Sequence, residues 1–390
     1  MEEQQQHAPE PIRLGMVGGG QGAFIGAVHR IAARLDGAFC LTAGALSSDP
    51  ERALASGLEL GLDRERCYRS FEEMAQAEAI RPGGIEAVAI VTPNHMHFPV
   101  AKAFLEAGIH VICDKPMTGS LAEAEALAEA VRHSGKLFVL THNYSGYPMI
   151  RQAREMVRRR DLGTIRLVQM EYLQDWLTEG LEDTGHKQAG WRTDPSKSGA
   201  GGCIGDIGTH AYQLGSFVSG LHVTEVLADL TRFVPGRRVD DNASVLLRYE
   251  GGAKGMLWAS QVAPGNENGL TLRVYGDRGG LEWQQQQPNH LWFTPFGEPK
   301  RLLTRGGAGA TEAGLRVTHV PSGHPEGYLE GFATLYNEAA AMIRATRQGH
   351  APDKAVTAPG LEDGLCGMAF IDACIRSSGA GSVWTTPAFT

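Results

Sequence analysis

"IRLGMVGGGQGAFIGAVH", residues 12–29, is the stretch on which the fold turns. A short apolar run, 12–18, stops at glycines, and the apolar residues of 23–35 then recur at helical spacing. Glycines between a first strand and a first helix allow a tight turn, close approach of a pyrophosphate, and anion binding at the helix N-terminus. Gly18, Gly20 and Ala23 fit the G-x-G-x-x-G/A spacing, with Gln21 inside the turn. A glycine-rich turn of this kind is also a common structural device. Its place at the head of a βαβ series points to a dinucleotide site.

The alternation continues outward from that stretch. Segments 39–47, 85–93, 110–116 and 136–144 are apolar and strand-like, and helical patterns separate them at 49–61, 71–80, 98–108 and 120–135. Asp49 and Ser120 stand as N-caps, Pro50 opens its helix, and Gly108 and Gly135 act as stops. Strands alternating with helices, and apolar nearly throughout, predict a parallel sheet covered on both faces. The pattern changes near residue 145. A helix at 149–163 precedes an alternating strand at 164–176; 177–204 reads as loop, and a helix follows from Gly205. Strands are expected at 223–234, 243–252, 253–262, 270–280, 281–287 and 290–296, with short links that favour antiparallel pairing. Helices at 328–349 and 361–379 close the chain. The expected division is a flexible tail at 1–10, a doubly wound α/β domain at 11–142, and an α+β domain with an open, mainly antiparallel sheet at 143–390. No internal repeat is visible, and "QQQQ" at 284–287 reads as too short to signify.

Composition excludes several classes. The 390 residues carry 36 Lys and Arg against 44 Asp and Glu, a formal charge of −8, which argues against nucleic acid or an anionic membrane as partner. The six cysteines are scattered without a C-x-x-C pair and read as reduced thiols of a cytoplasmic protein. The first residues have neither the basic nor the apolar region of a signal peptide, and no apolar run approaches a membrane span.

Four further stretches can carry chemistry. "VTPNHMH", 91–97, ends a parallel strand at the edge where such sheets bind ligands; Thr92, Asn94 and His97 are expected along the cofactor. A metal reading through His95 and His97 finds no third ligand nearby, so no metal is expected. "CDKP", 113–116, puts Lys115 at another strand end. It reads either as an exposed lysine paired with Asp114, or as a desolvated lysine used in proton transfer before a proline able to be cis. At the second strand's tip, Ser47 stands where an acid would favour NAD, and Arg52, one turn on, either faces solvent or reaches a 2′-phosphate. Trp176, Trp191 and Arg192 lie in the polar loop, where tryptophans either stack on a sugar or anchor the loop. "GDIGTHAYQLG", 205–215, places Asp206 and His210 four apart on one helical face; alone, they read as an N-cap and a core histidine.

Taken together, "GMVGGG", "AVAIVTPNHMH", "ICDKP" and "GGCIGDIGTH", in this order over nearly the whole chain, resemble the glucose–fructose oxidoreductase, inositol dehydrogenase and MocA (Gfo/Idh/MocA) family. The resemblance implies a Rossmann domain with a second α/β domain, NAD or NADP with a lean to NAD, and redox chemistry on a sugar, glycoside or cyclitol. It also implies homo-oligomers formed through the open sheet. Lys115, Asp206 and His210 match its catalytic residues; Gly18, Gly20, Asn94 and His97 match its cofactor contacts. The loop here is longer than usual, so Ala23 and Gly26 compete for the third-glycine role. "YLQDW", "HNYSGYP" and "SGAGGCIGDIGTH" look most like members acting on glycosides and anhydrosugars, such as levoglucosan dehydrogenase. Asn143, Tyr144, Trp176, Trp191 and Arg192 are then expected to meet substrate beside Asp206 and His210. Two other activities stay open on the same residues: redox-assisted glycoside elimination or hydrolysis with a retained cofactor, and a non-catalytic NAD(P) or sugar sensor.

Overall fold

The computed structural model describes residues 9–388. The flexible tail expected at 1–10 therefore lies almost wholly outside the described residues. A five-stranded sheet comes first, built from β1 (Ile12–Gly18), β2 (Phe39–Ala45), β3 (Ala87–Val91), β4 (His110–Cys113) and β5 (Phe138–Leu140). Its order is β2-β1-β3-β4-β5, and every pair is parallel. The helices between these strands are α1 (Phe24–Leu35), α2 (Pro50–Glu59), α3 (Phe71–Ile80), α4 (His97–Glu106) and α5 (Leu121–Ser134). The caps act as their chemistry demands. Asp49 accepts from the Glu51 and Arg52 amides, Ser120 accepts from Glu123 N, and Gly135 ends α5 in the left-handed conformation at φ +62. The strand order reverses between β1 and β3, and a crevice opens there at the strands' C-terminal ends.

The second sheet has eight strands. After α6 (Pro148–Arg158) come β6 (Ile165–Leu173), then the short helices α7 (Lys187–Arg192) and α8 (Pro195–Ser198), a π turn at Ile204–Gly208, and α9 (Thr209–Ser219). β7 (Val223–Thr231), β8 (Asn242–Tyr249), β9 (Lys254–Ser260), β10 (Gly269–Gly276), β11 (Gly279–Gln284), β12 (His290–Pro295) and β13 (Arg301–Thr304) follow, then α10 (Glu312–Leu315), α11 (Tyr328–Arg347) and α12 (Leu361–Gly379). The order is β13-β12-β11-β10-β6-β9-β8-β7. Pairing is antiparallel except between β6 and β9, which run parallel. Short links dictate antiparallel pairing only between consecutive strands; β9 reaches the free edge of β6 after a meander that starts beyond α9.

The loop expected at 177–204 is partly helical. Asp194 caps α8 by accepting from Ser196 N, Pro195 opens it, and the His186 ring accepts from Ala189 N to start α7. Helices this short carry no readable apolar period. α11, from late in the chain, returns to the first sheet: Phe332, Tyr336 and Ile343 share a core with Met16, Val28 and Phe39. No helix among the described residues is long and apolar enough to cross a membrane, and all six cysteines are free thiols.

Candidate active site

The glycine turn is tight on every side. Gly18 and Gly19 sit at φ +79 and +73, and the Gly19 carbonyl accepts from Arg30 on α1 at 2.6 Å. A Cβ on Gly20 would lie 2.6 Å from Leu46 O and 2.7 Å from Ser56 Oγ. A Cβ on Gly26 would lie 2.4 Å from Gly19 Cα, so Gly26 is what lets α1 press against the turn. Ala23 is the residue that precedes α1, and its amide closes the turn on Gly20 O at 3.0 Å. The third-glycine role falls to Gly26, in place of Ala23. The N-terminus of α1 beside this turn suits a pyrophosphate.

That turn opens into a cleft of about 1240 Å³ running from the tip of β2 to the loop before α9. Gln21, Ser47, Arg52, Thr92 and Asn94 line its first part. Asp49, the acid nearest the β2 tip, is turned into α2 as its cap, leaving Ser47 and Ser48 at that end with Arg52 and Arg69. Asn94 also donates to Ser198 O at 2.9 Å, which ties this edge to α8. His97 stands apart. It is buried, with Nδ1 2.7 Å from Pro116 O and Nε2 3.0 Å from Thr92 O, so that its single N–H donates to one of the two strand-end loops while the ring packs between both, outside the cleft lining. The structure sets His97 behind the turn of Thr92 and Asn94, which themselves line the cleft. Both ring nitrogens of His97 face carbonyls, and among the described residues no group of three metal-ligating side chains converges.

Lys115 follows β4 through a cis peptide to Pro116. Asp114 is not its side-chain partner: Asp114 Oδ1 accepts from Lys115 N at 3.0 Å and from Thr141 Oγ1 at 2.9 Å. Lys115 Nζ instead donates to Asp206 Oδ1 at 2.8 Å and to the Asp206 carbonyl at 2.6 Å. Asp206 Oδ2 accepts from Gln261 Nε2 at 2.9 Å and from Arg192 Nε at 3.3 Å. Burial alone would push this carboxyl up, but the charges of Lys115 and Arg192 override it and hold Asp206 well below the usual carboxylate range. Asp206 lies inside the π turn, and its side chain makes no cap. π turns of this kind recur at functional sites.

His210 lies one turn on, lines the cleft, and is buried. Its ring meets Tyr144 at 5.0 Å and His142 at 5.6 Å between centroids, both nearly edge-on. Burial, then the Lys115 and His142 charges, push it well below the ordinary histidine value, and Asp206 offsets part of this. His142, behind it, is pushed down to about 3 by burial and by Lys115.

Past His210 the cleft is lined by a hydrogen-bonded polar wall. Tyr144 OH meets Tyr172 OH at 2.7 Å; Tyr172 OH and Gln174 Nε2 each donate to Asn268 Oδ1 at 2.8 Å; and Asn268 Nδ2 donates to Gln285 at 3.2 Å. Buried Asn143 adds an amide nitrogen without a partner among the described residues. Trp176 and Trp191 both line the cleft, their indole N–H groups held by Gln174 at 3.0 Å and Gln188 at 3.1 Å. Arg192 lies over the Trp191 ring at 4.2 Å. Every residue expected to meet substrate is therefore in this chamber. Tyr172, Gln174, Asn268 and Gln285 join them unforeseen, and Gln261 holds Asp206 from outside the cleft lining. Gln285 sits in the glutamine run that read as insignificant, and nothing in a polar loop marks Asn268 as different from its neighbours.

Comparison with known proteins agrees with this fold. Residues 12–153 match the model of the oxidoreductase family with an NAD-binding Rossmann fold, and 150–282 match the GFO/IDH/MocA C-terminal domain. An oxidoreductase of Sinorhizobium meliloti is 60% identical with a TM-score of 0.89, over 97% of this chain and 100% of that one. An inositol dehydrogenase homolog of Azotobacter vinelandii, solved with NAD+, is 36% identical with a TM-score of 0.94, over 99% of this chain and 100% of that one; it was also solved with NADH and myo-inositol. Levoglucosan dehydrogenase of Pseudarthrobacter phenanthrenivorans is 26% identical over 96% of this chain and 97% of its own. With the parallel sheet, the glycine turn and the Lys115–Asp206–His210 cluster in one cleft, the chain belongs to the Gfo/Idh/MocA family of NAD-binding oxidoreductases.

Proposed function

We propose that the protein transfers a hydride between nicotinamide and a secondary alcohol of a ring polyol: a cyclitol, or the pyranose ring of a sugar or glycoside. The observation that carries this reading is the meeting of Lys115, Asp206 and His210 in a cleft continuous with the glycine turn. Bound NAD(P) would supply the hydride acceptor, and Gly18, Gly20 and Gly26 allow the close contacts that shape the turn before α1, whose N-terminus suits a pyrophosphate. Lys115 donates to the reacting oxygen and stabilises the charge that develops there. His210, held neutral by burial, takes the hydroxyl proton. Asp206 holds the Lys115 ammonium in place. The amide and phenol wall from Tyr144 to Gln285 suits a ring bearing several hydroxyls, and Trp176 and Trp191 suit its C–H faces.

NAD is the expected cofactor, in line with the complexes of the Azotobacter relative. NADP is accepted too, because no carboxylate at the β2 tip opposes a 2′-phosphate and Arg52 stands beside it. The chain works in the cytoplasm as a homo-oligomer on a small-molecule substrate.

The test is initial-rate assay of cyclitols, free sugars and aryl glycosides with NAD and with NADP, following nicotinamide absorbance and free aglycone together. Reduction of the cofactor in proportion to substrate, without aglycone, is expected. Aglycone release without net reduction overturns the reading in favour of redox-assisted cleavage. Lys115→Ala and His210→Ala should each lose about 10²–10⁴-fold in turnover while still binding dinucleotide; turnover near the parent's in both removes them from the chemistry.

A further inference from the structure

Asp240 lies outside the cleft, in the connection that enters β8, and is buried. Its contacts converge on one place. Oδ1 accepts from Gly202 N at 2.7 Å, Oδ2 from Ile204 N at 2.8 Å, and its carbonyl from Cys203 N at 2.8 Å. One residue, remote in sequence, thus receives three consecutive amides at the start of the helical segment that carries Asp206 and His210. The segment's own residues supply no side-chain cap there. The first bond inside it runs from Asp206 N to Gly202 O at 2.9 Å, so Asp240 grips the turn immediately before Asp206.

A second observation is independent of these bonds. A Cβ on Gly202 would lie 2.2 Å from Asp240 O and 2.6 Å from Val239 Cγ2. The glycine run ahead of Asp206 therefore serves an approach that no side chain permits. The gripping residue is itself anchored. Asp241 accepts from Phe233 N at 2.9 Å and from Arg237 Nη1 at 3.2 Å. Its carbonyl accepts from Gln261 N at 2.9 Å, and the Gln261 side chain donates to Asp206 Oδ2 at 2.9 Å. The same strand ends thus hold the backbone before Asp206 and the carboxylate of Asp206.

We infer that Asp240 is a positioning residue for the reaction, capping the catalytic helix from another element and setting where Asp206 and His210 stand relative to Lys115. This rests on the assignment of Lys115 and His210 to the chemistry. A buried neighbour acting only on stability would lower the folded fraction and leave each folded site at full rate. A positioning residue lowers the rate of folded sites, since a displacement of about 1 Å can cost on the order of 10²-fold.

The experiment compares the full-length parent with Asp240→Asn and Asp240→Ala, each normalised by NADH-binding stoichiometry. Expected are an NADH Kd within about twofold of the parent, a KM little changed, and a kcat reduced about 10–100-fold in Asp240→Ala. Asp240→Asn, which keeps one acceptor oxygen, should recover part of that loss. Parental kcat per NADH-binding site in both variants overturns the inference. Should neither fold, hydrogen exchange of the parent decides: slow exchange in the peptide spanning 202–206 is expected, and exchange at unprotected rates overturns it. Running His210→Ala alongside separates the two failures, because parental turnover in that variant indicts the reaction assignment and not the role of Asp240.

Discussion

Both oxygens of Asp206 are occupied, one by Lys115 and the other by Gln261 and Arg192. The carboxylate therefore orients the lysine, and it influences His210 through charge alone. His210 Nδ1 is buried without a partner among the described residues. A neutral ring that accepts a proton on Nε2 must carry one on Nδ1, and an unpartnered Nδ1–H gives the resulting cation no relief. Burial first, then the charges of Lys115 and His142, depress its pKa, and Asp206 offsets part of this. The sign follows directly. The base form persists as pH falls through the ordinary histidine value, so the acid limb of kcat/KM should lie below about pH 6.5. Initial rates of the full chain between pH 4.5 and 8 check this, and an inflection at or above 6.5 assigns the base elsewhere. None of this connectivity was legible in "GDIGTHAYQLG". Four-residue spacing places two side chains on one face, whereas their partners come from β4, α7 and the segment after β9.

At the scale of elements, two glycines mark where backbones meet. Spacing left Ala23 and Gly26 competing for the third-glycine role, and contact geometry favours Gly26, where α1 and the turn touch backbone to backbone. Gly26→Ala forces α1 outward. Overpacking of this kind costs about 1–3 kcal/mol, and NADH affinity should fall roughly tenfold or more, since about 1.4 kcal/mol is a factor of ten. Isothermal titration of the variant with NADH measures it; an unchanged Kd would show that the turn yields elsewhere. Gly202 makes the corresponding approach for the helix of Asp206 and His210. The strands of both sheets except β13 were readable because each pairs an apolar or alternating run with turn residues at its ends. α7 and α8 were not, since helices of four to six residues carry no apolar period, and β13, a four-residue edge strand with no buried position, shows no alternation.

On the scale of the whole molecule, the eight-stranded sheet buries one face under helices and leaves the other open. Leu167, Leu246, Met256, Trp258 and Tyr275 stand on β6, β8, β9 and β10, each more than a third exposed. Leu246 lies opposite Met256, and Leu167 opposite Tyr275. An exposed apolar face of this extent marks an interaction surface, and it is the face that a second copy would cover in the homo-oligomer proposed above. Trp258→Glu and Met256→Glu together should shift the light-scattering mass from a multiple of the chain to a single chain. An unchanged multimer would move the interface off the sheet. The boundary at 142/143 does not cleanly part the cores, because α11 packs on the first sheet from the far end of the chain.

The doubly wound sheet, the glycine turn, the strand ends that face the crevice, and the residue types able to move a proton can all be read along the chain. These follow from local period, caps and spacing, which act within a few residues. Folding in three dimensions is what pairs Lys115 with Asp206 and not with Asp114, packs His97 between two strand-end loops, brings Gln285 and Asn268 to the chamber, and sets Asp240 against the amides before Asp206. Each of these is a meeting of segments far apart in sequence. Buried polar groups take whichever partner packing brings within about 3 Å, and no local pattern encodes that partner.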